Sequence, residues 1–489
     1  MRVTEISEYL RRVGLTRLLE IKDADIRILT LEQCREAIDK TIHIGGAFSA
    51  TIPAVALYYG GLMDYDVANP TKQGQDLFVL SKGHAVATMA SIYADLGYFD
   101  RSVLKNSRGA GSILNGHPGP ILPGFHISTG PLGQGLSVAE GLALVGKKIP
   151  HYDVFCLNGD GELQEGIIWE AVMFSSYKKL DNLCVMVDKN AGQLDDTKQL
   201  VFPLLDLDKR FACFGWRVFN VDGTQYSTVL EALQAFKYNP RDGRPTAIIC
   251  RTRKGFGGFS SFMTDHKVTM PDVMTEQELA LQTQRRVDRM AGFLDFFNRL
   301  GIGGEGGVVR EELRALAKGM NLDIVIEEKK AVEVKTVVVP VKTRPAPPRN
   351  KKIAYDAGQL PQLDKKKEHA AVGVITAAMK VFAQDPKVVS LDADLASTSG
   401  LEAGVGFVDM NRAFNVGVAE PNMMGIGEAF AVMGYNTWVS TFCPFFDWRV
   451  LRRIAIGYQE RLEAMVTKGG WLSEGHGLDI TYIATAPNF

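Results

Sequence analysis

The sequence predicts an α/β protein made of two doubly wound, mostly parallel-sheet domains joined by a long linker. Helical patterns alternate with short β-rich runs from Leu31 to about Asn321, and a second alternation begins near Glu368. Such alternation is typical of parallel sheets covered by helices. The chain of 489 residues also exceeds what one hydrophobic core normally holds. We therefore expect a first domain over residues 1–325, a linker over 326–367 and a second domain over 368–489.

The composition is that of an ordinary globular protein, with 46% hydrophobic and 23% charged residues. A net charge of −1 gives no reason to expect a nucleic-acid partner. No apolar run approaches membrane-spanning length, and acidic residues at the start argue against a signal peptide. The six cysteines lack paired spacing and favour buried free thiols. We expect a cytoplasmic protein without a membrane partner.

The elements of the first domain follow from these patterns. Residues 1–30 predict an amphipathic helix that leads into the domain. The strongest strand signals are four apolar or β-branched runs, at Asp153–Leu157, Leu183–Val187, Trp216–Val221 and Pro245–Arg251.

The linker combines clustered lysines, a proline-rich stretch and one possible strand at Thr336–Val339. Beyond it, the second domain is predicted to contain a helix to Ala383 and another from Pro421 through Met433. Its strands are predicted at Val388–Leu391 and Phe414–Val418, with a last apolar run at Ile480–Ala484.

Two oxygen-bearing side chains end successive strands of the first domain. Asp160 follows the run that begins at Val154, and Asn190, thirty residues later, follows the run that begins at Leu183. A helical segment joins the two runs, so they form one βαβ unit whose strand ends meet at one sheet edge. Carboxylate, amide and backbone carbonyl oxygens are ligands for a hard cation that also binds phosphates. The sequence therefore predicts a metal and ligand site at this edge.

The segment from Gly159-Asp160-Gly161 to Asn190 resembles the cofactor motif of thiamine-diphosphate enzymes, and in detail that of transketolases. The resemblance implies two domains of the thiamine-diphosphate-binding type. It also implies thiamine diphosphate as cofactor, with Mg²⁺ or Ca²⁺ held by Asp160, Asn190 and the carbonyl oxygen of Gly192.

Other stretches of the first domain resemble the same family. They are Ser81-Lys82-Gly83-His84, Gly116-His117-Pro118, the glycine-rich turn from Ser128 to Gly135, His43 before Gly45-Gly46, and Lys254-Gly255 followed by His266. The resemblance implies cofactor contacts by His84, Gly130, Pro131, Leu132, Gly161, Glu162, Asn190, Lys254 and His266. It implies catalytic roles for His43, His84, His117 and His266, with His43 and His117 facing the substrate.

Two carboxylates in the helix after the metal turn, Glu165 and Glu170, match a pattern that transketolases use at their dimer contact. There they link the two active sites, so the resemblance gives them a catalytic role and implies a homodimer.

The second domain supplies a complementary set of residues. Gly417-Val418-Ala419-Glu420 resembles the strand-end glutamate that donates a proton to N1′ of the cofactor's aminopyrimidine. Thr441–Trp448 resembles the aromatic pocket for that ring, and Asp392–Leu395 a turn near the cofactor. The implied cofactor contacts are Asp394, Glu420, Phe442, Phe445 and Trp448, with Glu420 as a catalytic residue.

Substrate contacts are where the sequence departs from the family. Transketolases acting on sugar phosphates usually carry a Thr-Arg pair at the start of this domain, where this chain has Lys367-Glu368-His369-Ala370 and no arginine, and histidine is a poorer phosphate clamp than arginine. His369, Thr398 and His476 are the candidate substrate residues of the second domain. The resemblance also ends at Phe489, before the family's second domain is finished, so the second domain is expected to be incomplete and the third missing.

Three readings follow. The first is transfer of a two-carbon ketol unit from a ketose or ketose phosphate to an aldose or aldose phosphate. The second is a weakly active or inactive cofactor-binding subunit that needs a separate carboxyl-terminal chain. The third is another thiamine-diphosphate reaction, such as that of 1-deoxyxylulose-5-phosphate synthases. Because His43, His84, His117 and His266 suit recognition of sugar hydroxyls, they favour the first reading over the third.

Overall fold

The computed structural model describes residues 3–37, 41–108, 112–148, 150–193, 199, 204–265, 268–301, 303–324, 352–364, 366–442, 450 and 480–485. The possible strand at Thr336–Val339 lies outside these residues, as do His266, Phe445, Trp448 and His476. Only the main chain of Phe442 is described.

The described part of the chain alternates helices and strands. Its helices are α1 (Val3–Glu36), α2 (Ile44–Ser49), α3 (Thr51–Tyr59), α4 (Val86–Leu96), α5 (Gln134–Gly146), α6 (Gly166–Tyr177), α7 (Leu207–Cys213), α8 (Tyr226–Tyr238), α9 (Asp272–Arg299), α10 (Gly304–Gly319), α11 (Ala371–Phe382), α12 (Ala396–Ser399), α13 (Leu401–Val408) and α14 (Glu420–Val432). Its strands are β1 (Thr41–Ile42), β2 (Leu77–Leu80), β3 (Val154–Gly159), β4 (Leu183–Lys189), β5 (Arg217–Asp222), β6 (Thr246–Arg251), β7 (Val268–Thr269), β8 (Val388–Asp392), β9 (Ala413–Asn415), β10 (Asn436–Phe442) and β11 (Ile480–Thr485).

Two parallel sheets organise these elements. The first has five strands in the order β2-β3-β4-β6-β5, and the second has four in the order β11-β10-β8-β9. Every neighbouring pair in both sheets is parallel, whereas β1 and β7 form a small antiparallel pair. The prediction of an α/β protein with two mostly parallel sheets is confirmed. None of the described helices is long and apolar enough to cross a bilayer.

Strands β2, β3, β4 and β6 of the first sheet are almost wholly buried, as a doubly wound fold requires, whereas the residues of the edge strand β5 are half-buried or exposed. Because successive side chains of a strand point to opposite faces, Phe78 and Leu80 enter one core while Leu77 and Val79 enter the other. The first core contains residues of α1, α3, α4, α8, α9 and α10. The second contains residues of α5, α6, α7 and α14, together with residues of the second sheet such as Leu391.

Several predicted boundaries differ from the structure. The leading helix was predicted over residues 1–30 but continues to Glu36, and its second half is buried. The strand predicted at Phe414–Val418 is only Ala413–Asn415. It ends there because the Asn415 side chain accepts hydrogen bonds from the Asp394 and Gly417 amides, and Gly417 has a φ of 76°. The other predicted strands shift by only a residue or two.

A buried group of charges ties α1 to α9. Asp23 pairs with Arg27 at 3.0 Å and with Arg289 at 2.7 Å. Burial alone would raise the pKa of Asp23, but the attraction of the two guanidinium groups outweighs it and lowers the pKa from 3.8 to about 2. The depressed pKa contributes about 2 kcal/mol of stability above pH 4, which is lost as the pH falls through about 2.

We expect Asp23→Asn to lower the free energy of unfolding at pH 7 by about 3–5 kcal/mol, because it leaves the buried Arg27 without its anion. Stability should then change less with pH between pH 4 and pH 2 than in the wild type. Chemical denaturation across that range measures both effects. Asp295→Asn, which removes an exposed pair with Arg299, is the control and should change stability little. Equal pH profiles for wild type and Asp23→Asn would refute this assignment.

Helices α5 and α14 pack closely and run parallel. A Cβ on Gly425 would lie 2.4 Å from Cβ of Ser137, and one on Gly141 would lie 2.6 Å from Cβ of Ala429. These two contacts advance by four residues along each helix, so both helices begin at the same end of their shared interface. The glycine-rich turn before α5 and Glu420 at the start of α14 therefore share one end of the core.

We expect Gly425→Ala to lower the free energy of unfolding by about 1–3 kcal/mol, because the added methyl group overpacks this interface. Gly373→Ala in α11 is the matched control: an added Cβ there meets nothing within 4 Å. It should raise stability by up to about 1 kcal/mol through helix propensity. Thermal unfolding of both variants measures the difference, and a Gly425→Ala protein as stable as the wild type would contradict the close packing.

Candidate functional site

The predicted metal turn forms at the carboxyl edge of the first sheet. Gly159 of β3 pairs with Asp188 of β4, so Asp160 lies beside the turn that follows β4. Its carboxylate accepts hydrogen bonds from the amides of Ala191, at 2.7 Å, and Gly161, at 2.9 Å. Ala191 adopts a left-handed φ of 60°, which turns its amide toward this carboxylate. The structure thus brings Asp160 against residues 190–192, as predicted.

The oxygen atoms at this turn fit a hard cation. The set consists of the Asp160 carboxylate, the Asn190 amide oxygen and the Gly192 carbonyl, which is the mixture that Mg²⁺ and Ca²⁺ accept. Burial, followed by the negative charge of Asp188, raises the pKa of Asp160 to about 6. The backbone hydrogen bonds and the positive charge of Lys82 favour the ionised carboxylate and offset only part of this rise. A bound cation would stabilise the ionised form. No cluster of three or more His, Cys, Asp or Glu side chains in the described ranges could hold a metal.

A buried ion pair beneath the turn was not predicted. Lys82 and Asp188, at most 1% exposed, pair directly, and Lys82 also donates to the Gly46 carbonyl at 3.0 Å. Ser49 donates to Asp188 at 2.6 Å and accepts from the Asn190 amide at 3.0 Å. This network fixes the Asn190 side chain. In the sequence, this ion pair is indicated by a charged residue at the end of each of two otherwise apolar strands.

The glycine-rich turn lies beside the metal turn. Gly133 is the left-handed residue that precedes α5, with a φ of 82°, and its amide donates to Glu162 at 3.2 Å. The same carboxylate accepts from the Gly159 amide at 3.0 Å and from Ser81 Oγ at 3.2 Å. Burial raises the pKa of Glu162 to about 7, although these donors oppose the shift. Glu162 therefore accepts hydrogen bonds from three predicted motifs: the glycine-rich turn, the metal turn and the Ser81–His84 motif.

The amides at the start of α5 are suited to phosphate oxygens, because a helix N-terminus carries unpaired N–H groups and a partial positive charge. A Cβ on Gly83 would lie 2.9 Å from Thr129 Oγ1 and 3.0 Å from the Gly130 amide. The Ser81–His84 motif therefore packs directly on Thr129 and Gly130, at the start of the stretch predicted to contact the cofactor through Gly130, Pro131 and Leu132.

Three of the predicted histidines form a cluster. The ring centroid of His43 lies 5.9 Å from that of His84 and 5.8 Å from that of His117. Gly46 lies against His84, because a Cβ there would be 2.6 Å from the imidazole. This cluster of imidazole rings lies next to the glycine-rich turn, because a Cβ on Gly130 would be 3.4 Å from the His117 ring.

Lys254 closes one side of this region. Its ammonium donates to the Gln193 carbonyl at 2.5 Å, one residue beyond the metal turn. Burial, then the charge of Lys82, lowers the pKa of Lys254 to about 8. The following Gly255 amide donates to the Gly45 carbonyl at 2.9 Å, which holds the segment beside His43.

Side chains of α9 and α1 hold the rest of the Lys254 segment. Glu278 accepts from the amides of Phe259 at 2.9 Å and Ser260 at 3.1 Å, and Gln282 donates to the Gly257 carbonyl at 2.8 Å. Arg27 donates to the Phe256 carbonyl at 2.7 Å. Sequence patterns could not reveal these hydrogen bonds, because the residues that form them are spread over the whole first domain.

Three second-domain candidates, Asp394, Thr398 and Glu420, follow the carboxyl ends of strands β8 and β9 in the second sheet. Glu420 begins α14, is half-buried and accepts a hydrogen bond from Thr441 of β10 at 3.2 Å. Asp394 has a left-handed φ of 58° and is exposed, as are Thr398 and His369. His369 contacts the Asp364 carbonyl at 3.0 Å. Glu165, the residue that precedes α6, is exposed, and Glu170 on α6 is half-buried.

Comparisons with known proteins agree with this geometry. Residues 21–285 match the family described as the transketolase thiamine diphosphate binding domain, and residues 371–479 match the transketolase pyrimidine binding domain. The chain is 39% identical over 233 residues to a transketolase of Pongo abelii, which covers 47% of this chain and 36% of the relative. It is 32% identical over 253 residues to one subunit of the apulose-4-phosphate transketolase of Phocaeicola vulgatus, covering 51% of this chain and 89% of that protein.

The fold has solved counterparts as well. The structure of a transketolase from Campylobacter jejuni superposes with a TM-score of 0.68 at 23% identity, over 91% of this chain and 68% of that one. The first of the two family matches alone spans more than half of the 489 residues. The chain belongs to the transketolase family.

Proposed function

We propose that the chain transfers a two-carbon ketol unit from a ketose to an aldose, with thiamine diphosphate and Mg²⁺ or Ca²⁺ as cofactors. The observation that carries this proposal is the shared end of α5 and α14. There the metal turn and the glycine-rich turn of the first domain lie at the same end of the core as Glu420 of the second. The nearby cluster of His43, His84 and His117 supports a polyhydroxylated substrate.

Each residue has a definite task in this proposal. Asp160, Asn190 and the Gly192 carbonyl would hold the cation, and the amides that begin α5 would receive diphosphate oxygens. When bound, thiamine diphosphate supplies a carbon nucleophile and then an electron sink for the carbonyl chemistry. Glu420 holds a proton at N1′ of the aminopyrimidine. The histidines orient sugar hydroxyls, and Lys254 covers the diphosphate side of the site.

The same family also supports a two-chain form of this activity. A relative at 32% identity, of which this chain covers 89%, is named as one subunit of a transketolase. We therefore propose that the chain either acts as a homodimer, with Glu165 before α6 and Glu170 on α6 at the contact, or works with a separate carboxyl-terminal chain. Phosphorylated and free sugars are both candidate substrates.

Ketol transfer is the direct test. The purified chain, supplied with thiamine diphosphate and Mg²⁺, should convert a ketose phosphate and an aldose acceptor into products that differ by two carbons, followed by ¹³C NMR. If transfer occurs only after addition of a separately encoded carboxyl-terminal chain, the two-chain form is supported. A chain that binds the cofactor but yields neither product, with or without such a chain, would overturn the proposal.

A further inference from the structure

The side-chain amide of Asn190 is buried and held at both ends. Its nitrogen, Nδ2, donates to Ser49 Oγ at 3.0 Å and to Asp188 Oδ2 at 3.1 Å. Its oxygen, Oδ1, accepts from the Gly192 amide at 3.0 Å, within the metal turn. The nitrogen therefore faces the buried network of Ser49 and Asp188, and the oxygen faces the turn that carries the other proposed cation ligands.

The orientation of this amide matters because its two ends have nearly the same shape and opposite chemistry. The oxygen has lone pairs and can bind a cation, whereas the NH₂ group only donates hydrogen bonds. A rotation of the amide by half a turn would keep the packing but present NH₂ to the cation. The neighbouring groups must therefore select one orientation.

The donors and acceptors of the network make this selection. Lys82, which has only donors, pairs with Asp188 and donates to the Gly46 carbonyl at 3.0 Å. Asp188 accepts the single hydroxyl proton of Ser49 at 2.6 Å, a shorter contact than the 3.3 Å from this hydroxyl to the Gly46 carbonyl. Ser49 Oγ then has only lone pairs to offer to Asn190. A rotated amide would place its oxygen against two acceptors.

We propose that Ser49 and Asp188 are positioning residues that hold the amide oxygen of Asn190 toward the cation. This assignment rests on the proposed function, in which Asn190 is a ligand of that cation. Asp188 acts on the cation only through Asn190, because its own Oδ2 is engaged by Lys82 and Ser49. An aspartate at position 190 could bind a cation but has no NH₂ group for Ser49 and Asp188. The network therefore requires an asparagine there.

Asn190→Asp tests the sign of this effect. The added negative charge would by itself strengthen cation binding, since the affinity of Mg²⁺ and Ca²⁺ sites rises with ligand charge. In this network the new carboxylate faces two acceptors. We therefore expect Mg²⁺-dependent binding of thiamine diphosphate to weaken by about 10- to 100-fold, the usual effect of losing the groups that orient a metal ligand. Titration calorimetry at several Mg²⁺ concentrations measures the affinity, and binding as tight as in the wild type, or tighter, would overturn the proposal.

Exchanging the two residues is the second variant. Asp188→Asn combined with Asn190→Asp returns an NH₂ group to the contact, now on residue 188, and leaves the total charge around Lys82 unchanged. The amide oxygen of residue 188 can still accept from Lys82. The exchanged pair should recover most of the lost affinity. An exchanged pair that binds as weakly as Asn190→Asp alone would overturn the proposal.

Ser49→Ala and Thr51→Val separate the network from the loss of a buried hydroxyl in general. Thr51 is also buried, but its hydroxyl donates to the Ala47 carbonyl at 3.3 Å. Ser49→Ala should weaken the same Mg²⁺-dependent binding by about 10-fold, and Thr51→Val should leave it unchanged. Equal affinities of these two variants would remove Ser49 from the proposed role.

The melting temperature of the cofactor-free protein tests the contact without the cofactor. Asn190→Asp should lower it, because a second buried carboxylate then faces Asp188, and the exchanged pair should restore most of the loss. An exchanged pair that melts no higher than Asn190→Asp alone would contradict the proposed contact. If the wild type shows no Mg²⁺-dependent cofactor binding, the proposed function falls, but these melting temperatures still decide how Asn190 is held.

Discussion

Glu420→Gln should slow exchange of the C2 proton of bound thiamine diphosphate by about 10²–10⁴-fold, the usual contribution of a positioned proton donor. The glutamine keeps the size of the side chain and can still bond to Thr441, which donates to Glu420 at 3.2 Å. Cofactor affinity should therefore change only a few-fold. Hydrogen–deuterium exchange by NMR and titration calorimetry measure the two quantities.

The matched control is Glu402→Gln, another half-buried glutamate in the first turn of a second-domain helix, α13. It should leave both exchange and affinity unchanged. Normal exchange in Glu420→Gln would remove Glu420 from the chemistry and with it the proposed role of the start of α14.

Asp160→Ala should weaken metal-dependent binding of thiamine diphosphate by more than about 100-fold, since loss of a direct ligand exceeds the effect of its supporting groups. The variant loses the only carboxylate of the proposed donor set. It also removes the hydrogen bond that the Ala191 amide donates to the Asp160 carboxylate at 2.7 Å. The turn from Asn190 to Gly192 is then no longer held against Asp160. Calorimetric titration with the cofactor, at several Mg²⁺ concentrations, measures this loss.

Asp222→Ala is the control for that experiment. Asp222 also ends a strand of the first sheet, but it is exposed and accepts hydrogen bonds from Thr224 instead. Its substitution should leave cofactor binding intact. An Asp160→Ala protein whose cofactor affinity still rises with Mg²⁺ as in the wild type would locate the metal elsewhere.

The fold was predictable because its strongest signals are local. The apolar runs that end at Asp160 and Asn190 could only become adjacent buried strands, and parallel pairing then put their ends at one edge. The alternation of helices and strands gave the rest of the architecture. Boundaries failed where a single side chain decides them, as Asn415 does for the end of β9.

The site was less predictable, for a different physical reason. Lys82 and Asp188 are 106 residues apart in the sequence. Their importance follows from the contact between them, which their spacing in the sequence does not predict. The hydrogen bonds that Glu278 and Arg27 form with the Lys254 segment depend on helices α9 and α1, which lie at opposite ends of the first domain's sequence. His43, His84 and His117 were singled out only through the family resemblance. The roles assigned to all these residues remain predictions.

The rate of C2 proton exchange in the wild-type protein tests the central claim most directly, because it reports cofactor activation without requiring a particular sugar or a partner chain. The chain should bind thiamine diphosphate in the presence of Mg²⁺ and exchange its C2 proton far faster than the free cofactor at the same pH. Exchange no faster than that of free cofactor, at saturating occupancy, would contradict the account.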